Sequence, residues 1–216
     1  MVRGRREDVV GHDDWSRAVK AYYRDVEDYD WVDVADHLRG PEAIFHRLRA
    51  RLIRRVLADY SAEKFLDAGC GTGLNLRHLP MGSVGLDINA RNIDVVRLRF
   101  PQYKSVVGDI EAMPFGTGEF DGVLCAEVLE HVPNPELALS EIMRVLRRGG
   151  VLVGTVPGRS PIWKLRFLSS TCPADEPFHN QYSVAEVVGM LSDFELGVVR
   201  HVIFGSNVLF VAHKRT

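Results

Sequence analysis

With 216 residues, 46% of them hydrophobic and 26% charged, the chain is long enough for one α/β domain with a sizeable core. Its formal net charge of -2 argues against a role in coating nucleic acid, which calls for a basic excess, although it leaves room for a local basic face. No apolar run approaches the roughly 20 residues of a membrane span, and the stretch from Met1 to Asp8 lacks the apolar core of a secretory leader. Cys70, Cys125 and Cys172 lie far apart and form no C-x-x-C pair, which fits a reducing, cytoplasmic setting and offers neither a disulfide framework nor a structural zinc site.

Residues 1–60 are expected to form a helical segment ahead of the main domain, 61–216. Its first part is polar but carries Trp15, Tyr22, Tyr23, Tyr29 and Trp31, which suit either packing on the domain or a cover over a ligand. Gly40-Pro41 breaks this part. From Glu42 to Tyr60, Phe45, Leu48, Leu52 and Val56 recur at helical spacing, and Arg47, Arg51 and Arg55 form a stripe best read as a solvated face. Alternation follows: strand 64–68, helix 73–79, strand 83–87, helix 90–100, strands 103–107 and 120–125. A helix opens at Pro135 with Asn134 as its cap and runs to Arg147-Arg148, and strand 151–156 comes next. Ser183 to Glu186 is a capping box with Tyr182 and Val187 as its staple. Strands 194–203 and 207–212 are close enough to pair antiparallel. The pattern predicts an α/β, doubly wound, mostly parallel sheet of seven strands with an antiparallel final strand.

The stretch with most chemistry is Asp67-Ala68-Gly69-Cys70-Gly71-Thr72-Gly73, a strand end followed by three glycines at alternate positions. Such a turn lets backbone approach a nucleotide-like ligand. Neither frame of a dinucleotide fingerprint fits, because Leu74 or Leu76 stands where Gly or Ala is needed, and no phosphate-loop Gly-Lys-Ser or Gly-Lys-Thr occurs. A turn this short, with an acid two residues ahead, suits a smaller ligand with a charged amino-acid end.

These residues resemble the first motif of class I S-adenosylmethionine-dependent methyltransferases, and the resemblance runs from about residue 60 to 213. It is nearest to the small-molecule branch, methyltransferase type 11, that includes quinone-biosynthesis enzymes. The family implies a Rossmann-like fold and S-adenosylmethionine as cofactor. Asp67, Gly69, Cys70, Gly71 and Gly73 would then form the cofactor turn. Asp87, followed by Ile88, would take the ribose hydroxyls, accepting two hydrogen bonds from the diol. Asp109 would accept from the adenine amino group and the Ile110 amide would meet a ring nitrogen. Ala126 would end the fourth strand facing the methyl group.

A sulfonium methyl is already electrophilic, so the protein has mainly to align the nucleophile and exclude water, with a base only where a proton must leave. Glu127, Glu130 and His131 follow the fourth strand as catalytic candidates, and Glu130 and His131 equally suit shaping the loop. A metal-free site is the expectation. The alternative is a divalent ion on Glu127, Glu130, His131 and His179, similar to the set of quinone and small-RNA O-methyltransferases. Residues 157–182 are expected to form an acceptor-site lid, with Trp163, His179 and Tyr182 as substrate contacts. The resemblance thus implies transfer of a methyl group to O, N or C of a small-molecule acceptor, with an RNA or protein methyltransferase and a non-catalytic binding protein as alternatives. Acceptor and oligomeric state stay open at this point.

Overall fold

The sheet is built from β1 (Phe65–Ala68), β2 (Val84–Asp87), β3 (Lys104–Val107), β4 (Phe120–Ala126), β5 (Leu146–Pro157), β6 (Glu195–Val202) and β7 (Asn207–His213). In this computed structural model, which describes residues 12–26, 30–160 and 180–216, they run in the order β3-β2-β1-β4-β5-β7-β6. β1 to β5 pair parallel, and β7 is antiparallel to both of its neighbours, as the short 203–206 connection requires. The strand order reverses between β1 and β4, where a sheet of this kind opens a crevice at its carboxyl edge.

Successive strand side chains point to opposite faces, and both faces are apolar. Val123 and Cys125 of β4 belong to one core with Leu139 and Ile142 of α5 (Pro135–Val145) and Val187 of α6 (Val184–Met190). Leu124, between them, belongs to a second core with Ile93 and Val96 of α4 (Ala90–Arg99) and Ile53 of α3 (Pro41–Leu57). A sheet covered on both sides explains its near-continuous apolar strands. Ahead of α3 come α1 (His12–Asp25) and α2 (Trp31–His37); Val32 and Ala35 of α2 pack with Ala50 of α3 and Leu74 behind the glycine turn.

Four local expectations are corrected. The stretch after Gly73 is a series of turns with one 3-10 turn, Leu76–His78, in place of a helix from 73 to 79, because Gly73 sits in the left-handed region at φ 94°. The helix from Pro135 ends at Val145, and Arg147 and Arg148 lie in β5, where Leu146 already pairs with Phe120 and Arg147 reaches Asp121. Asn134 makes no side-chain cap there; its amide donates to Glu111 Oε1 instead. In α3 the buried face is Ala43, His46, Ala50 and Ile53, displaced from Phe45, Leu48, Leu52 and Val56, because the helix packs against α2 as well as the sheet. The capping box of Ser183 and Glu186 forms as expected, with Tyr182 and Val187 both buried in the same core. Among the described residues no helix is long and apolar enough to cross a membrane.

Candidate functional site

Asp67, Asp87, Asp109 and Ala126 all fall at or just beyond the carboxyl ends of β1 to β4, on the edge where the sheet opens. Between β1 and β2 the glycine turn is pinned from below: the amides of Gly69 and Cys70 both donate to the Leu86 carbonyl, at 2.7 and 2.9 Å. Gly69 has φ 81°, and a Cβ there would stand 2.4 Å from Val128 Cγ2. Gly71 has φ 52°, and a Cβ there would press the Trp31 ring at 3.0 Å. Both positions therefore need glycine, for conformation and for space. Cys70 is buried with its Sγ on the Gly71 carbonyl, and burial, with the Asp87 and Asp67 charges, pushes its thiol well above the usual range. It is an inert part of the turn.

The acids divide the work. Asp67 is 2% exposed, and its Oδ2 has no hydrogen-bond partner in the chain. Burial, with the Asp87 carboxylate nearby, pushes its pKa up to about 7. A buried carboxylate oxygen without a donor is costly, and a cationic ligand group would satisfy it. Asp87 Oδ2 accepts from the Gly71 amide at 2.8 Å, and Oδ1 accepts from the Asn89 amide and Asn92 Nδ2 at 2.9 and 3.2 Å. Burial raises its pKa, and these donors offset part of the rise. A carboxylate offers about four lone-pair sites. Three are used within the chain, which leaves one on Oδ2 open to a ligand donor. Ile88 follows at the strand end, half-buried.

Beyond the end of β3, Asp109 Oδ1 accepts from the Glu111 amide at 2.9 Å. Its Oδ2 is paired with Lys20 Nζ of α1 at 2.7 Å, and the same ammonium reaches Glu111 Oε2 at 2.5 Å. Burial alone would lower the Lys20 pKa, but hydrogen bonds to Asp109 and Glu111 outweigh it and raise the pKa. The Ile110 side chain is buried in the α5-side core.

The polar set after β4 is less open than its sequence suggests. Glu127 has φ 58°, rare for a side-chain-bearing residue and a mark of imposed geometry. Asn207 Nδ2 donates to its Oε1 at 2.9 Å, and Arg49 Nη1 of α3 donates to its Oε2 at 3.2 Å. Arg49 Nη2 lies 3.0 Å from His46 Nδ1. Glu130 is 1% exposed, so it stands behind the site, with Oε1 3.7 Å from His131 Nε2. His131 is half-buried, and its Nδ1 lies 2.8 Å from the Tyr23 hydroxyl of α1. The alternative metal set is not assembled by its described members: Glu127 is turned to Arg49 and Asn207, and the described residues hold no group of three ligands able to bind a metal. Tyr182 is also corrected: it is 8% exposed, its hydroxyl donates to the Leu129 carbonyl, and burial pushes its pKa up to about 12. It packs the core in place of lining an acceptor site. Trp163 and His179, with most of the expected lid, 161–179, lie outside the described residues.

The sequence did not single out Lys20, His46, Arg49 or Asn207, and named Tyr23 only among the aromatics of a packing or cover segment. Each reaches the site from an element remote in sequence, Lys20 across 91 positions to Glu111. Only the aromatic character of residues 15–31 hinted at α1.

A family model described as a methyltransferase domain matches residues 66–154. The ubiquinone biosynthesis O-methyltransferase of Dechloromonas aromatica is 30% identical over 143 residues, covering 61% of this chain and 51% of that one. Phthiotriol/phenolphthiotriol dimycocerosates methyltransferase 1 of Mycobacterium ulcerans is 30% identical over 163 residues, covering 72% and 56%. The chain spans about half the length of the curated relatives it matches. The magnesium protoporphyrin IX methyltransferase of Synechocystis PCC 6803, solved with bound SAH, shares the fold at a TM-score of 0.68 and 16% identity, covering 93% of this chain and 99% of that one. The match spans the glycine turn, the acid that ends β2 and the loop after β4 as one unit on a shared fold, and in this stretch the chain is similar to S-adenosylmethionine-dependent methyltransferases of the type 11 kind.

Proposed function

We propose that this protein transfers a methyl group from S-adenosylmethionine to a heteroatom or carbon of a small, lipophilic or aromatic acceptor. The observation that carries the reading is the buried, unpartnered Asp67 Oδ2 at the glycine turn, beside Asp87 and on the same strand edge as His131. Asp67 and the turn backbone would hold the cofactor's charged amino-acid end, Asp87 its ribose, and Asp109 with the Ile110 amide its adenine. The cofactor, when bound, supplies an electrophilic methyl group. Glu127, tied down by Arg49 and Asn207, would shape the mouth; His131, backed by Glu130, would take up a proton the acceptor loses. The relatives named for quinone and phenolic-lipid methylation support an acceptor of that kind.

The experiment is a panel of phenolic, quinol, amine and carboxylate acceptors with S-adenosylmethionine, read as S-adenosylhomocysteine formed. Turnover with at least one phenolic or quinol acceptor, lost in His131→Ala, is the expected result. Tight cofactor binding without turnover across the panel would favour a non-catalytic binding protein.

A further inference from the structure

Helix α1 brings Tyr23 to His131, and the geometry fixes which way that hydrogen bond runs. His131 Nε2 faces the Glu130 carboxylate at 3.7 Å, and that carboxylate is buried. With Glu130 ionised, a lone pair on Nε2 would point at its charge, whereas an N–H there is attracted to it. The proton therefore belongs on Nε2, and Nδ1 is left as the acceptor. The Tyr23 hydroxyl, 2.8 Å away, is then the donor. The rings sit 5.0 Å apart, and Tyr22 packs edge-on against Tyr23 at 5.1 Å, which further orients it. Carboxylate, imidazole and hydroxyl form a chain in which each group orients the next, the general arrangement of an activated hydroxyl.

We propose that Tyr23 is the group through which His131 takes the acceptor's proton, so that the reaction centre is completed by α1. With Nε2 directed to Glu130 and Nδ1 to Tyr23, the phenol oxygen is the outer member of the chain. As the acceptor's electron pair forms its bond to the methyl carbon, the pair of the breaking carbon–sulfur bond stays on sulfur. The acceptor's proton passes to Tyr23 Oη, and the proton of Tyr23 passes to His131 Nδ1. The imidazolium so formed is stabilised by Glu130. The inference rests on the methyl-transfer reading and deepens it: such a chain serves a nucleophile that carries a proton, a phenolic hydroxyl or a protonated amine, and is idle for a carboxylate or a thioether.

Charged or titratable groups near the chain among the described residues include Lys20, on the same helix as Tyr23 and paired with Asp109 and Glu111, and Cys125 and Tyr182, both raised in part by the Glu130 charge. None of these interactions uses the Tyr23 hydroxyl. Lys20 and Asn89 hold α1 where the hydroxyl meets the ring: Asn89 Nδ2 donates to the carbonyls of Tyr23 and Val26 at 3.3 and 2.8 Å.

The test is nitrogen NMR of the full chain labelled at histidine and saturated with S-adenosylhomocysteine. His131 is expected as the Nε2–H tautomer with Nδ1 shifted as a hydrogen-bond acceptor; an Nδ1–H tautomer in the unaltered protein overturns the proposal without any variant. Tyr23→Phe keeps the ring and removes only the hydroxyl. It is expected to lose the acceptor signature at Nδ1, with unchanged S-adenosylhomocysteine affinity and a fall of about 100-fold in kcat for a phenolic acceptor. His131 resonances that superimpose on those of the unaltered protein would also overturn it. Absence of any S-adenosylhomocysteine binding would instead sink the methyl-transfer reading, and the tautomer would still be measurable.

Discussion

Asp67 carries a conflict that the free protein does not resolve. Its carboxyl is buried, one oxygen lacks a donor, and its pKa is pushed up from 3.8 to about 7 by burial and by Asp87. Between those two values the folded protein holds a proton that the unfolded chain has released, so stability falls as pH rises through that window and levels off above it. Asp67→Asn removes the charge and keeps the shape. Its unfolding temperature is predicted to exceed that of the unaltered protein at about pH 7.5 and to lose the Asp67 share of the acid-to-neutral slope. An unchanged slope in a thermal series would contradict the assignment. Its affinity for S-adenosylhomocysteine is predicted to fall, because the unsatisfied oxygen is the one offered to a cation. At Gly69 conformation and space combine: φ is 81° and an added Cβ would lie 2.4 Å from Val128 Cγ2. Gly69→Ala is predicted to cost about 1–3 kcal/mol of stability in urea unfolding; a cost near zero would mean the turn can shift. Both residues were legible in the sequence because an acid and alternate glycines at a strand end have few other uses. The unpartnered oxygen was not, because it depends on what the folded chain leaves undone.

At the scale of elements, α1 decides what the site looks like. Its amphipathic character was visible, and Val19 is its buried contact at 2% exposure. Its partners were not visible: Lys20 is an ordinary lysine until the fold brings Asp109 and Glu111 to it. The Lys20 pair is part-buried, its side chain 20% exposed, so it should hold the helix better than a surface pair would. Lys20→Ala is predicted to speed amide exchange through 12–25 while leaving 120–126, in the core strand, unchanged. Equal protection of α1 in both proteins would show that Asn89 and the aromatic contacts suffice. Because Lys20 occupies the carboxylate assigned to the adenine amino group, the same variant tests whether α1 and the cofactor share Asp109. The misread face of α3 has a similar origin. Helical spacing offered two apolar stripes, and only contact with α2 and the sheet chose Ala43, His46, Ala50 and Ile53. The Ser183–Glu186 box was readable because its hydrogen bonds are local in sequence.

For the whole molecule, the seven strands and the reversal of β7 were readable from alternation of apolar runs with helices and from the short connection before Asn207. The start of β5 was not, because Leu146 to Gly150 continues a helical pattern that the register with Phe120 overrides. In the proposed reading, local motifs at strand ends would carry the donor side of the site, and α1, α3 and the loop after β4, which meet only in the fold, would carry the acceptor side. On the proposed reading this strand edge binds S-adenosylmethionine through Asp87 and the glycine turn. Calorimetric titration with S-adenosylhomocysteine tests it most directly. Saturable binding at one site per chain is expected, weakened by about 1.5–3 kcal/mol in Asp87→Ala, the range for a hydrogen bond to a charged group. Absence of binding, or an affinity unchanged in Asp87→Ala, would contradict it.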